Sequence, residues 1–286
     1  MSNTRKTASA ADDSTGRSDS ADLSLAGGLT LLRELFIKRF RIMLRYRVNF
    51  LAQMLASYLF FAVLFFGGQA AVGSVGGNQA ITETLDGVIV GWFLYTMAQS
   101  AYSSLPGNVT QESEWGTLEQ LYMSPYGFGP VMVTKVVVNI FQSFLVGALM
   151  LGLILLTTQR TLAIDVLTIV PVTLLALVSV VGIGFVFAGL ALVYKRVESV
   201  SQLMQFVIVG LIAAPVAGLS PLRFLPLVQG SSMLQDAMRN GVRLWEFPAF
   251  DLGILVGVAA VYSLAGYAVF LVCSRVARRR GVMGHY

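Results

Sequence analysis

Six apolar runs, each close to the length of a membrane-crossing helix, fill most of the chain between residues 48 and 273. A helix needs about 20 consecutive apolar residues to cross the hydrocarbon core of a bilayer. The runs cover 48–68, 86–106, 131–156, 166–193, 203–219 and 250–273, the fifth being the shortest before Ser220-Pro221. The expected fold is therefore an all-α integral membrane protein with six transmembrane helices. Composition agrees: only 12% of the 286 residues are charged, against about 25% in a soluble domain.

The charges are segregated. Residues 1–47 carry nine bases against five acids, and residues 274–286 carry four arginines and no acid. The 226 residues between them hold seven bases against ten acids. All of the positive excess lies beside apolar runs, which is a topology signal and not the basic stripe of a nucleic-acid binder. Nucleic acid is not an expected partner. Loop 69–85 has no Lys or Arg, loop 194–202 has Lys195 and Arg196, and the C-terminal tail has four arginines. This pattern predicts a multi-pass protein of the cell membrane with both termini in the cytoplasm. Segment 220–249 is the misfit, because it falls outside yet carries Arg223, Arg239 and Arg243.

Rare residues remove several function classes. The single cysteine, Cys273, excludes an intramolecular disulfide, and the single histidine, His285, sits next to the C-terminus. No His-dependent triad, haem ligand or His-containing metal cluster can be assembled within the spans, and no metal site is expected. None of the four lysines follows a glycine, so the phosphate-cradling loop that ends Gly-Lys-Ser/Thr is missing. The chain is not expected to be an enzyme or to bind a cofactor of its own.

Residues 1–25 are rich in Ser, Thr, Ala and Asp and read as a disordered cytoplasmic tail; residues 276–286 form a basic one. In 30–47, Leu32, Leu35, Phe36, Phe40, Met43 and Tyr46 share one helical face, and Lys38, Arg41 and Arg45 share the other. This is either a basic amphipathic helix lying in the headgroup plane or a basic flank that orients the first span. Segment 220–249 contains Pro221, Pro226 and Pro248 and apolar patches too short to span. It reads as a re-entrant hairpin, or as an external loop with one surface helix. Gly87…Gly91 and Gly253…Gly257 have the spacing that permits close helix approach.

The best-defined loop is 112–127, ESEWGTLEQLYMSPYG. Thr117 and Gln120 have capping-box spacing. Leu118, Leu121 and Tyr122 fall on one face of a helix of two turns, which Pro125 and Gly127 stop. A helix this short is marginal alone, so it is expected to dock on a partner.

Glu114-Trp115-Gly116-Thr117-Leu118-Glu119-Gln120-Leu121, followed by Ser124-Pro125, resembles the E-x-G-T-L-E-x-L…P signature of ABC-2 type permeases, the membrane subunits of type-2 ABC exporters. Leu234-x-Asp236-Ala237-x-Arg239 is similar to a further stretch of that family. The resemblance covers roughly residues 30–275, including the basic helix, the six-span plan and the Pro-rich hairpin. Trp115 departs from the charged residue that is common there in the family.

The resemblance implies a transmembrane subunit that exports its substrate by alternating access. Glu114, Gly116, Thr117, Leu118, Glu119, Leu121 and Tyr122 would form the coupling helix seated in a cytoplasmic ATPase. Arg33, Lys38, Arg39, Arg41 and Arg45 would belong to the connecting helix. Pro221, Pro226, Asp236 and Arg239 would belong to the re-entrant hairpin. Two copies of the ATPase, carrying ATP and Mg, a second permease chain (a like or a related one) and membrane lipid are the implied partners. The scarcity of carboxylates within the spans disfavours an ion as cargo. Phe60, Phe61, Phe65, Phe66, Trp92, Tyr95, Phe141 and Phe144 suit an amphiphilic or hydrophobic substrate, although bulk facing lipid explains many of them. A polysaccharide or glycolipid exporter of the same family is the alternative. A lipid-modifying enzyme or a non-transporting accessory subunit are readings of another class.

Overall fold

The computed structural model describes residues 32–73, 78–116, 128–194, 198–214 and 221–279. The chain divides into two compact units, Met1–Arg47 and Val48–Tyr286. Within the first, residues 32–45 form helix α1, with Arg33, Lys38, Arg41 and Arg45 exposed and Arg39 on the same helix.

The second unit is a helical bundle. Its elements are α2 (Arg47–Gly73), α3 (Asn78–Glu114), α4 (Phe128–Thr158), α5 (Val166–Tyr194), α6 (Glu198–Ile212), α7 (Val228–Asn240) and α8 (Ala249–Arg279), with short 3-10 turns at Pro221–Phe224 and Leu244–Glu246. Among the described residues there is no strand. Four helices, α2, α4, α5 and α8, are long and apolar enough to cross a membrane. Their bounds follow the first, third, fourth and sixth apolar runs closely. Val63 and Leu156 keep 72% and 79% of their surface exposed, a lipid-compatible exterior that would be a liability in water.

The second apolar run lies inside α3, whose composition is more polar than that of the four. Packing explains the difference. α3 is covered by α4, α5, α6 and α7, and Ile89, Leu94, Met97, Ala98, Ala101 and Leu105 on it are nearly inaccessible. A helix enclosed by protein need not be apolar all round. The fifth run is shorter as a helix than its letters suggest, because α6 ends at Ile212. Ala214 donates to the Leu211 carbonyl at 3.4 Å, a 3-10 tightening of the last turn. Pro215 follows, and a proline disfavours helical backbone at the residue before it.

α5 is the central helix. It packs most extensively on α8, then on α3 and α7. The α5–α8 crossing is a backbone contact: a Cβ on Gly266 would overlap the carbonyl of Gly182, and one on Gly182 would overlap the carbonyl of Tyr262. One turn and more along, Gly189 sits against Phe270 and Cys273. The Gly253…Gly257 pair does not serve this purpose, since both positions face open space. Gly87 and Gly91 lie at ordinary contact distance from α7 and α6. The glycines that α5 and α8 need are therefore not the ones that the four-residue spacing singles out. α2 reaches α3 mainly through rings, with Phe60 and Phe61 at 5.5 and 6.0 Å from Trp92.

Candidate functional site

The motif begins at the C-terminus of α3. Glu114 is the last residue of α3. Trp115 N–H donates to the Gln111 carbonyl at 3.0 Å, and Gly116 N–H to the Ser113 carbonyl at 3.1 Å. Gly116 has φ +67°, the left-handed conformation that ends helices at little cost only for glycine. The motif's glycine is thus the residue that turns the chain out of α3. Trp115 is 62% exposed. Thr117, Leu118, Glu119, Gln120, Leu121 and Tyr122 lie outside the described residues.

α4 begins at Phe128, buried and stacked on Phe270 of α8 with centroids 5.4 Å apart. Just inside the bundle, Lys135 Nζ of α4 donates to Glu112 Oε1 of α3 at 2.9 Å. The two helices that deliver the loop are thereby tied together behind it. In sequence, Lys135 reads only as a charge near a span end, and nothing in the spacing pairs it with Glu112, 23 residues away.

The opposite end of the bundle is built around α7. Eight of its 13 residues are buried, packed against α3, α5, α6 and α8. α7 is therefore packed among the other helices and is not a surface helix of the bundle. Pro221 opens the first 3-10 turn and is exposed, whereas Pro226 is buried. Leu227 follows with φ +68° and is 1% exposed, a strained entry that its surroundings hold. Its N–H donates to Ser179 Oγ of α5 at 3.3 Å, and Ser179 donates onward to the Ala176 carbonyl at 2.6 Å. Ser231 N–H donates to the Leu227 carbonyl at 2.7 Å. Ser231 Oγ donates to the Ile212 carbonyl at 2.8 Å, satisfying the end of α6. Gly230 lies against Ala176, too close for a Cβ.

Asp236 and Arg239 stand on the outer face of α7. Asn240 Nδ2 donates to the Asp236 carboxylate at 3.3 Å, and the Arg239 guanidinium to Gln235 Oε1 at 3.5 Å. Burial pushes the Asp236 carboxyl above its ordinary value, more than Asn240 and Arg239 pull it down, and Asp251 adds to the rise. Gly241, φ +70°, caps the helix by donating to the Asp236 carbonyl.

Further polar contacts lock this end. Arg223 bridges to Asp251, in the first turn of α8, at 2.9 Å. Arg160 approaches Asp86 at 3.8 Å. Asp165 caps α5 through Leu167 N–H at 3.2 Å and accepts Thr168 Oγ1 at 2.7 Å. Thr168 Oγ1 in turn accepts Leu244 N–H at 2.9 Å, and Ala163 N–H donates to the Met238 carbonyl at 2.9 Å. Asp165 before an apolar run is a readable cap signal; Ser179 and Ser231, inside or beside apolar stretches, carry no such mark.

The interior between the two ends is apolar with isolated amides and hydroxyls: Asn139, Ser143, Thr173, Ser179 and Gln229 are buried there. Among the described residues no group of His, Cys, Asp and Glu could hold a metal ion. No family model matches the chain, and no curated protein is similar to it.

Proposed function

We propose that the chain is the permease subunit of an ABC-2 type exporter, moving an amphiphilic or hydrophobic substrate out of the cytoplasm. In this reading α3 and α6 are the second and fifth of six spans, α1 is the connecting helix, and both termini are cytoplasmic. Segment 220–249, with α7 at its centre, is the re-entrant hairpin. Its support is the buried face of α7 beside a polar tip, since irregular backbone at membrane depth is stable only when protein covers it. ATP and Mg belong to two copies of a separate ATPase chain, and a second permease chain completes the pore.

The observation that carries the reading is the placement of the motif. Its first residue, Glu114, ends α3, and its glycine, Gly116, makes the left-handed turn that leads out of the bundle. In sequence, residues 117–127 join α3 to α4, the two helices that Glu112 and Lys135 tie together. Such a loop is placed to pass motion of a docked ATPase to both helices. Leu118, Leu121 and Tyr122 are its apolar anchors, and Glu114 and Glu119 meet basic groups.

Co-purification with a candidate ABC ATPase chain from the same genome, followed by ATP hydrolysis in lipid vesicles, tests the assignment. E119A/L121A is expected to abolish the stimulation of hydrolysis and leave membrane insertion intact. Unchanged stimulation overturns the coupling role. In a C273S background, cysteine introduced at Ser74 is expected to be labelled from outside and cysteine at Ser201 is not; the reverse overturns the orientation.

A further inference from the structure

One turn of α3, two turns before the motif, is weaker than the rest of that helix. Residues 103–108 read Ser-Ser-Leu-Pro-Gly-Asn, and the helix continues through them. Pro106 has no N–H, so one rung of the hydrogen-bond ladder cannot form. Ser103 Oγ donates to the Gln99 carbonyl at 2.7 Å and Ser104 Oγ to the Ala101 carbonyl at 3.1 Å. Such back-bonding competes with the ladder and bends helices, and sharp kinks gather at Pro and at Gly/Ser pairs. Gly107 is exposed with open space beside it. Gly184 of α5 lies so close to the Tyr102 backbone that a Cβ there would crowd it. α3 therefore rests on α5 at this same turn, which gives a bend its fulcrum.

α4 carries a matching irregularity at the same depth. Its Gly147 lies against Met97 and Phe93 of α3, and its Lys135 against Glu112. Asn139, between the two, is therefore level with the Pro106 turn. Asn139 is 5% exposed, and its carbonyl accepts Ser143 Oγ at 2.9 Å. Its Nδ2 is buried with no hydrogen-bond partner. A buried donor left unmade is costly, and a native structure keeps one for a reason. A second conformation that satisfies this donor supplies the reason.

We propose that residues 103–108 are a hinge about which the last two turns of α3 and the first three turns of α4 swing against α5 as one lever. The Glu112–Lys135 bridge makes the two helix ends one body. In the swung state the Asn139 amide donates to a backbone carbonyl of the Pro106 turn; in the state described here it does not. Two turns of α3 are about 12 Å long, so a tilt of about 15° carries the motif through about 3 Å. The hinge rests on the packing of α3, α4 and α5. Under the transport reading it is the part that passes motion of the coupling loop into the bundle.

Double electron–electron resonance on the full chain in lipid nanodiscs tests the hinge, with spin labels on cysteines placed pairwise in a C273S background. Gln111, Val133 and Tyr194, on α3, α4 and α5, are exposed and take the labels. The Gln111–Tyr194 and Val133–Tyr194 pairs are each expected to show two distances, and the Gln111–Val133 pair one. P106A restores the missing rung and is expected to leave a single Gln111–Tyr194 distance. N139L removes the donor and is expected to reduce the swung population about fivefold, the worth of one neutral hydrogen bond. A single Gln111–Tyr194 distance without either substitution overturns the proposal. So do two distances in P106A, and so do two Gln111–Val133 distances, which would break the lever. Should P106A fail to insert, N139L decides alone, and an unchanged distribution there overturns the proposal equally. These distances need no ATPase, so the hinge stands or falls separately from the coupling role of residues 117–127.

Discussion

Lys135 Nζ of α4 lies 2.9 Å from the carboxylate of Glu112 on α3, with only 12% and 15% of the two side chains exposed. Removing one partner leaves the other charge largely enclosed, and a hydrogen bond to a charged group is worth about 1.5–3 kcal/mol. Lys135→Met and Glu112→Ala are each expected to destabilise the protein by about 2 kcal/mol. The double variant E112A/K135M is expected to lose less than the sum of the two single losses. Thermal unfolding of all four proteins in one detergent closes the double-mutant cycle; additive losses would show that the pair is not coupled.

The α5–α8 crossing has no room for a methyl group at Gly182 or Gly266. Forcing one in displaces backbone, and overpacking of this kind costs about 1–3 kcal/mol or more. Gly266→Ala is expected to lower the unfolding temperature clearly. Gly253→Ala and Gly257→Ala on the same helix meet open space and are expected to be neutral or slightly stabilising, by up to about 1 kcal/mol from helix propensity. A Gly266→Ala protein as stable as Gly253→Ala would refute the close approach.

Ser179 Oγ is the acceptor for the buried N–H of Leu227. Ser179→Ala orphans that N–H beside a strained residue and is expected to cost about 1–3 kcal/mol. The loss is expected to centre on α7, so hydrogen exchange at residues 227–231 should accelerate before exchange along α5 does.

The Asp236 carboxyl is raised above its ordinary value by burial. A raised acid binds its proton more tightly in the folded state than in the unfolded one. Its contribution to stability is therefore largest below the ordinary carboxylate range and declines as pH climbs to the raised value, after which it is flat. Asp236→Asn is expected to remove this slope. Unfolding temperatures of the two proteins, measured from acidic to neutral pH, should converge at the acidic end and diverge in favour of the variant above it. Parallel curves would contradict the upward shift of the half-buried Asp236 carboxyl.

Much of the bundle is legible in the letters because an apolar run of sufficient length admits one solution in a bilayer. The runs 131–156, 166–193 and 250–273 become Phe128–Thr158, Val166–Tyr194 and Ala249–Arg279. Legibility fails where a helix is wrapped by its neighbours. α3 can carry Asp86, Gln99 and several serines, and α7 can be short and still buried, because protein surrounds both. Pairings distant in sequence are invisible for the same reason: Ser179 with Leu227, or Thr168 with Leu244, join segments whose local patterns do not mention each other. At the motif, Gly116 takes the left-handed conformation that ends α3. The anchors Leu118, Leu121 and Tyr122 belong to a pattern whose meaning depends on what they dock against.

Four acids of the bundle stand close to a base: Glu112 with Lys135, Asp86 with Arg160, Asp251 with Arg223, and Asp236 one turn from Arg239 on α7. Moving one unpaired elementary charge through 100 mV of transmembrane voltage changes its energy by about 2.3 kcal/mol. A pair that travels together feels almost none of this. A change in the voltage across the membrane therefore does little electrical work on these four pairs, whichever way the helices that carry them tilt or slide.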